Sequence, residues 1–263
     1  QAVSCLGMMY RFERSRAEKS AITDEVPIDV MAINRIIDGA LAEKRNFLLA
    51  SEGAAVMRAA GVSIPQTKVA RSIEEAVQFA EEIGYPLVLK VVSRDILHKS
   101  DAGGVALDID NKEEVMDAYE AILHNCHAYK PDAVIDGIEV CEMVSKGTEI
   151  IVGARRDASF GPIVMCGFGG IYVEVMKDVS FRGYPFNRAE AMKMLKELRS
   201  FPLLLGVRGE GRKDIDGLID AMIKVGTIIR KCPRVTDIEI NPVVVYEQAR
   251  GHKAVDSRIL ITG

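Results

Sequence analysis

Lys90 lies inside an apolar run, YPLVLKVVS, and the polar string RDILHKSDAGG follows it. A lysine between Leu89 and Val91 is costly to bury unless an anion meets it. Gly103 and Gly104, at the end of that string, allow backbone N–H groups to come close to a ligand. A cation beside a glycine-rich turn suits a polyphosphate. The string is not a Walker A loop, since no GxxxxGK followed by Ser or Thr is present. The plainer alternative is a strand-edge lysine reaching water and two glycines in a hairpin turn. His98 precedes the glycines, with Lys99 and Asp101 beside it. A neutral imidazole there can attack a phosphoryl group; the alternative is an ordinary surface histidine.

A second set lies near the C-terminus. DIEINP places Glu239 and Asn241 two apart on a strand, on one face. Asp256 follows in AVDSRI. Carboxylates and an amide oxygen are hard ligands suited to Mg²⁺ carrying phosphate. The alternative is the solvated face of an amphipathic strand. A third set is the strand–turn–strand CEMVSKGTEIIVGARRD. Met143 and Val144 offer a base an apolar floor and Glu149 offers a ribose an acceptor, with Glu142 on the other flank of the turn. The alternative is a hairpin whose charges face water. His124 and His127, three apart with Cys126 between them, share a helix face, but no second ligand pair follows at zinc spacing, so the cluster reads as structural. His252, beside Gly251, reads as solvent-exposed.

These residues need elements to hold them. Ser72 caps a helix through about Ile83, with Glu75 completing a capping box, and Gly84 stops it. YPLVLKVVS and VALDID read as strands. Asn111 starts a helix to about Tyr129. GIEVCEM, TEIIVGARR and GPIVMCG read as strands, with helices over about 188–199 and 214–230. VTDIEI, VVVYE and KAVDSRILI read as three strands spaced like an antiparallel meander. Residues 1–45 look like an appendage: a helix over about 1–20, a linker broken by Pro27, and a helix from Val30 to Glu43. Residues 46–60 read as a helix, with Leu48, Leu49, Ala55, Val56 and Ala59 apolar and Gly61 at its end. This mixture implies an α+β or mixed α/β class without strict βαβ repetition.

The 263 residues carry a formal charge of −4, with 48% hydrophobic and 27% charged residues. No apolar run approaches a membrane span. The mild acidity, the absence of Trp and the 6% aromatic content argue against nucleic acid as a partner. Cys5, Cys126, Cys141, Cys166 and Cys232 are scattered, with no CxxC, which points to a reducing, cytoplasmic setting.

In order, YPLVLKVVSRDILHKSDAGGV, GTEIIVGARRDASFGPIVMCGFGGIYVEVMKDVSFR, IEINPVVV and AVDSRI resemble the ATP-grasp module of NDP-forming acyl-CoA synthetases, nearest to the acetate–CoA (ADP-forming) type. The resemblance runs from about residue 46 to 263, and VSCLGMMYRFERSR resembles the end of the α region in fused members. It implies an ATP-grasp fold of two α/β subdomains with nucleotide between them, preceded by a helical extension over 1–45. It implies acyl-CoA, ADP and phosphate converted reversibly to acid, CoA and ATP through phosphohistidine, with ATP or ADP and Mg²⁺ as cofactors and a CoA-binding α region as partner. Lys90 would contact nucleotide phosphates under a loop that holds Gly103 and Gly104. Glu142, Met143 and Val144 would border adenine, and Glu149 would face the ribose. Asn241 and Asp256 would hold Mg²⁺ with Glu239 close by, and His98 matches a loop histidine phosphorylated in relay. Arg182, in DVSFR, matches a recurring arginine, although FRGYPF departs from the more apolar string expected there. The α region's own histidine is absent, so the chain alone is not expected to complete the ligase reaction. Two rival readings are a ligand-sensing synthetase-like domain of a protein acetyltransferase and a carboxylate–amine ligase of the same fold.

Overall fold

The computed structural model describes residues 26–96, 99–170, 178–207 and 209–263. The expected helix over 1–20, His98 and Cys5 lie outside the described residues. The chain forms two compact units, one from residues 65–145 and one from the flanking segments up to 64 and from 146 onward.

In the first unit, α3 (Ile73–Ile83) and α4 (Lys112–Tyr129) cover one face of a four-stranded sheet ordered β1 (Thr67–Ala70), β4 (Ile135–Glu142), β2 (Leu87–Ser93), β3 (Val105–Ile109). All neighbours in it are antiparallel. Ser72 Oγ accepts the Glu75 N–H at 3.2 Å, as an N-cap does. The Glu75 carboxylate reaches one residue further upstream than a capping box requires and accepts the Arg71 N–H at 2.8 Å. Asn111 and Glu114 repeat the arrangement ahead of α4. Leu87, Leu89 and Val91 pack into a core with Ala76, Ala80, Val115, Ile122 and Cys126. Strand alternation therefore puts Lys90 on the face away from the helices.

The other unit carries β5 (Thr148–Asp157), β6 (Gly161–Phe168), β7 (Val179–Gly183), β8 (Val235–Val245), β9 (His252–Ala254) and β10 (Ser257–Ile261). The order is β10–β8–β5–β6–β7, with β9 also on β8. Helices α5 (Arg188–Glu197) and α6 (Ile215–Lys231) and a 3₁₀ turn at Phe201–Leu205 complete the unit, together with α1 (Val30–Ala42) and α2 (Ala50–Ala59). Ile33, Ile37 and Ala40 of α1 are fully buried in the same core as Val152, Val164, Ile238 and Ile228. No described helix is long and apolar enough to cross a membrane.

Four expectations change here. KAVDSRILI, read as one strand, is two, β9 and β10, broken at Val255–Asp256, where Val255 N–H donates to Pro242 O. VTDIEI and VVVYE are one 11-residue strand, β8, rather than two. Pro242 lacks an N–H, and the ladder passes it by a bulge: Ile150 and Val152 on β5 face Val243 and Ile240, so β8 holds one extra residue. Residues 46–49 are not helical; Leu48 N–H donates to Ile259 O at 3.0 Å and Ile261 N–H to Asn46 O at 2.9 Å, which adds this stretch to the edge of β10. β1 and β7, absent from the sequence reading, are edge strands of four and five residues, too short to show a clear alternation.

Candidate functional site

Within the 65–145 unit, Lys90 sits on a central strand, with Val105 of β3 and Glu139 of β4 as its cross-strand neighbours. It is half-buried. Among the described residues its ammonium has neither a hydrogen bond nor an ion pair, even with Glu139 opposite. A half-buried ammonium that makes no ion pair is free to meet an anion. Gly103 and Gly104 close a tight turn. Gly103 N–H donates to Ser100 O at 3.1 Å and Gly104 N–H to Lys99 O at 2.7 Å, while Val91 N–H donates to Gly104 O at 2.8 Å. Both amides are therefore occupied in this conformation. Gly103 needs its φ of +63°, and a Cβ on Gly104 would lie 2.5 Å from Val91 Cγ1. The hairpin-turn alternative accounts for these two glycines without a ligand.

Past β4 the chain is drawn tight against its own unit. Glu142 N–H donates to Gln66 O at 2.8 Å, its carboxylate accepts Gln66 N–H at 3.1 Å, and Met143 N–H donates to Pro86 O at 3.1 Å. Val144 N–H has no partner among the described residues. Met143 and Val144 are half-buried, so this segment offers an apolar surface with a backbone donor at its edge.

In the other unit the β8 bulge brings the proposed ligands together. Asn241 N–H donates to Asp256 O at 3.1 Å and Val255 N–H to Pro242 O at 3.0 Å, which fixes the bend between β9 and β10 against Asn241–Pro242. Glu239 lies two residues back and opposite Arg258. Glu239, Asn241, Asp256 and Arg258 line a cavity of about 190 Å³. Among the described residues, none of these four side chains makes a hydrogen bond or ion pair. Two carboxylates and an amide oxygen left unpaired fit a hard divalent cation such as Mg²⁺. No cluster of three His, Cys, Asp or Glu among the described residues is placed to hold a metal, so a cation here would need the Asn241 amide oxygen beside the two carboxylates. Glu239 also borders a groove of about 310 Å³ on the same sheet face, with Gly153, Ile163, Met165, Phe181 and the Arg155–Asp237 ion pair (2.7 Å). Glu149, at the start of β5, is exposed, and its backbone O accepts Gly169 N–H at 2.8 Å.

A model of the ATP-grasp domain matches residues 39–261. The chain belongs to the ATP-grasp family. It is 44% identical over 232 residues to the acetate–CoA ligase (ADP-forming) I subunit beta of Pyrococcus furiosus, covering 88% of this chain and 99% of that one. It is 39% identical over 262 residues to acetate–CoA ligase (ADP-forming) I of Archaeoglobus fulgidus, covering 99% of this chain but 38% of that relative. Among solved structures it is similar to Ca. Korarchaeum cryptofilum dinucleotide forming acetyl-coenzyme A synthetase 1 in complex with coenzyme A and Mg-AMPPCP, whose phosphohistidine segment points towards the nucleotide binding site. There the identity is 36%, the TM-score 0.76, and the coverage 88% of this chain and 100% of that one.

Other residues of this ATP-grasp chain take structural parts. Arg182 is a clamp: its Nε donates to Glu190 at 2.9 Å and its Nη1 to Glu197 at 3.0 Å, tying β7 to α5. The hydrogen bond to Glu197 raises the guanidinium pKa further above its ordinary value. His252 is not solvent-exposed as its Gly neighbour suggested. Its Nε2 is buried without a partner, and burial lowers its pKa, because Gly217 lets α6 close over the ring. His124 and His127 are exposed while Cys126 points into the core, so the structural reading of that cluster holds. The sequence reading passed over Arg258. Its signal was available: it is a cation two residues after Asp256 in AVDSRI.

Proposed function

We propose that this chain is the nucleotide-binding and phosphoryl-transfer module of an ADP-forming acid–CoA ligase, which interconverts acyl-CoA, ADP and phosphate with acid, CoA and ATP. The observation that carries the reading is the unpaired set Glu239, Asn241 and Asp256 around one cavity. In it, Asn241 and Asp256 hold Mg²⁺ with Glu239 beside them; the cation neutralises charge on the nucleotide phosphates. Lys90 takes a phosphate oxygen, which supplies the counter-charge its position lacks. Met143 and Val144 floor the base, the Val144 N–H donates to it, and Glu149 accepts from the ribose. Phosphoryl transfer needs positioning and charge neutralisation more than covalent chemistry, and these residue types supply both.

His98 is the proposed carrier. In the direction of ATP use, the lone pair of a neutral ring nitrogen attacks the γ-phosphorus. The bond to the β–γ bridging oxygen breaks, and ADP leaves with that electron pair. Gly103 and Gly104, whose amides close their own turn, would reach phosphate only if that turn opens. The partner is a CoA-binding α region. The longer Archaeoglobus relative, of which this chain spans 38%, aligns with 99% of this chain and the Pyrococcus beta subunit with 88%, which supports reading residues 1–45 as the end of such a region ahead of the ATP-grasp domain at 46–263. Incubation with γ-labelled ATP followed by mapping of acid-labile phosphate tests the carrier. Label on His98 is expected; label elsewhere, or none, removes His98 from the pathway.

A further inference from the structure

Arg258 stands directly across the β8–β10 pair from Glu239 and helps line the cavity that holds Asn241 and Asp256. Opposite charges facing each other across two strands ordinarily pair. Here they do not. Arg258 is exposed, and among the described residues its guanidinium has no partner. A guanidinium cannot ligate a cation. Its planar fork matches the paired oxygens of a phosphate. Within a cavity whose other three side chains are cation ligands, the fork is complementary to an anion that the cation brings.

Its rung of the ladder says which part of that anion. Asn241 and Asp256 occupy the rung at the β9–β10 bend, and Glu239 and Arg258 the next along but one. Glu239 is also the residue this cavity shares with the 310 Å³ groove running over Gly153 towards Met165 and Phe181. Arg258 is thus displaced from the Asn241–Asp256 rung towards that groove, which has room for the outer end of a polyphosphate.

We infer that Arg258 binds the phosphoryl group in transit, gripping the terminal phosphate of ATP and the charge that spreads over its three outer oxygens as the bond to ADP breaks. The inference rests on the phosphoryl-transfer reading of the same site. It makes Arg258 a catalytic residue that contributes little to holding ADP.

The test uses the full chain together with its CoA-binding partner region, with Mg²⁺ present, and compares wild type, Arg258→Gln and Arg258→Lys. Calorimetric titration with ADP and with a methylene-bridged ATP analogue reads binding; single-turnover labelling from γ-labelled ATP reads transfer. Arg258→Gln should bind ADP within about twofold of wild type, bind the analogue about 10-fold more weakly, and label about 10²–10³-fold more slowly. Arg258→Lys should recover part of the analogue binding, as a point charge does, and little of the rate. An unchanged melting temperature shows that the variants are folded. Equal weakening of ADP and analogue would overturn the inference, because Arg258 would then be a diphosphate ligand; so would labelling at the wild-type rate. Failure of wild type to bind ADP would instead overturn the underlying functional reading.

Discussion

Gly104→Ala separates two roles that a glycine beside a phosphate lysine can play. An added Cβ would lie 2.5 Å from Val91 Cγ1 and 3.1 Å from both Cys126 Sγ and Lys99 O. Ordinary carbon contacts sit at about 3.5–4.0 Å, so Val91 would have to retreat by roughly 1 Å. It has little room. Val91 and Cys126 are fully buried, and the Val91 N–H is tied to Gly104 O at 2.8 Å. A β-branched side chain also has few rotamers to escape into. Overpacking of this kind costs about 1–3 kcal/mol. Val91→Ala alone removes two buried methyl groups and costs about 2 kcal/mol. The double variant removes the atom that the new methyl group would strike, so it should be more stable than the sum of the single effects by about 1–2 kcal/mol. Urea unfolding followed by far-ultraviolet circular dichroism measures this, the chain having no Trp for fluorescence. Strict additivity, or a Gly104→Ala protein of wild-type stability that only binds nucleotide poorly, would refute the packing argument and return the glycine to a phosphate-cradling role.

Lys90→Met should leave stability unchanged or raise it while weakening Mg·ADP binding about 10- to 100-fold, the size of one charged hydrogen bond, by calorimetric titration. His252 is held neutral in the fold, so the unfolded chain takes up its proton first as pH falls below the ordinary value of 6.5. Stability should decline below that pH and level off below the folded value, and His252→Gln should flatten the decline in urea titrations at stepped pH. Gly39→Ala and Gly226→Ala should move the urea midpoint in opposite directions. Gly39 meets nothing within 4 Å and should gain about 1 kcal/mol in helix propensity. A Cβ on Gly226 would lie 2.4 Å from the Tyr184 ring, whose hydroxyl is hydrogen-bonded to Thr227 at 2.7 Å, and that variant should lose about 1–3 kcal/mol.

Much of this was legible in the sequence where one local rule governs. Ser72, Asn111 and Gly84 fix their elements through capping and left-handed backbone, and the structure follows them. Glu239 and Asn241 were legible as neighbours because they are two apart on a strand, and the structure places both on one cavity with Asp256. What the local pattern hid was long-range. Pro242 looked like a break between strands, yet β5 on one side and the β9–β10 bend on the other carry β8 through it with a bulge. Leu48 and Leu49 continued a helical period, but the edge of β10, about 210 residues away in sequence, captures the backbone just ahead of the helix. His252 looked exposed from its glycine neighbour because its cover, the first turn of α6, comes from 35 residues upstream at Gly217. Arg182, which matched a recurring family arginine, turns out to be paired with two carboxylates of α5, a helix whose face toward β7 the string FRGYPF does not reveal.

The account rests on a divalent cation held by oxygen ligands of β8 and the β9–β10 bend. Titration of ADP into wild type and into the Asn241→Ala/Asp256→Asn double variant, across a series of Mg²⁺ concentrations, measures that claim directly. ADP affinity in the wild type should rise with Mg²⁺, and the folded double variant should lose that dependence while keeping its weak metal-free affinity. A wild type whose ADP affinity ignores Mg²⁺, or a double variant that follows the same Mg²⁺ curve, would contradict it.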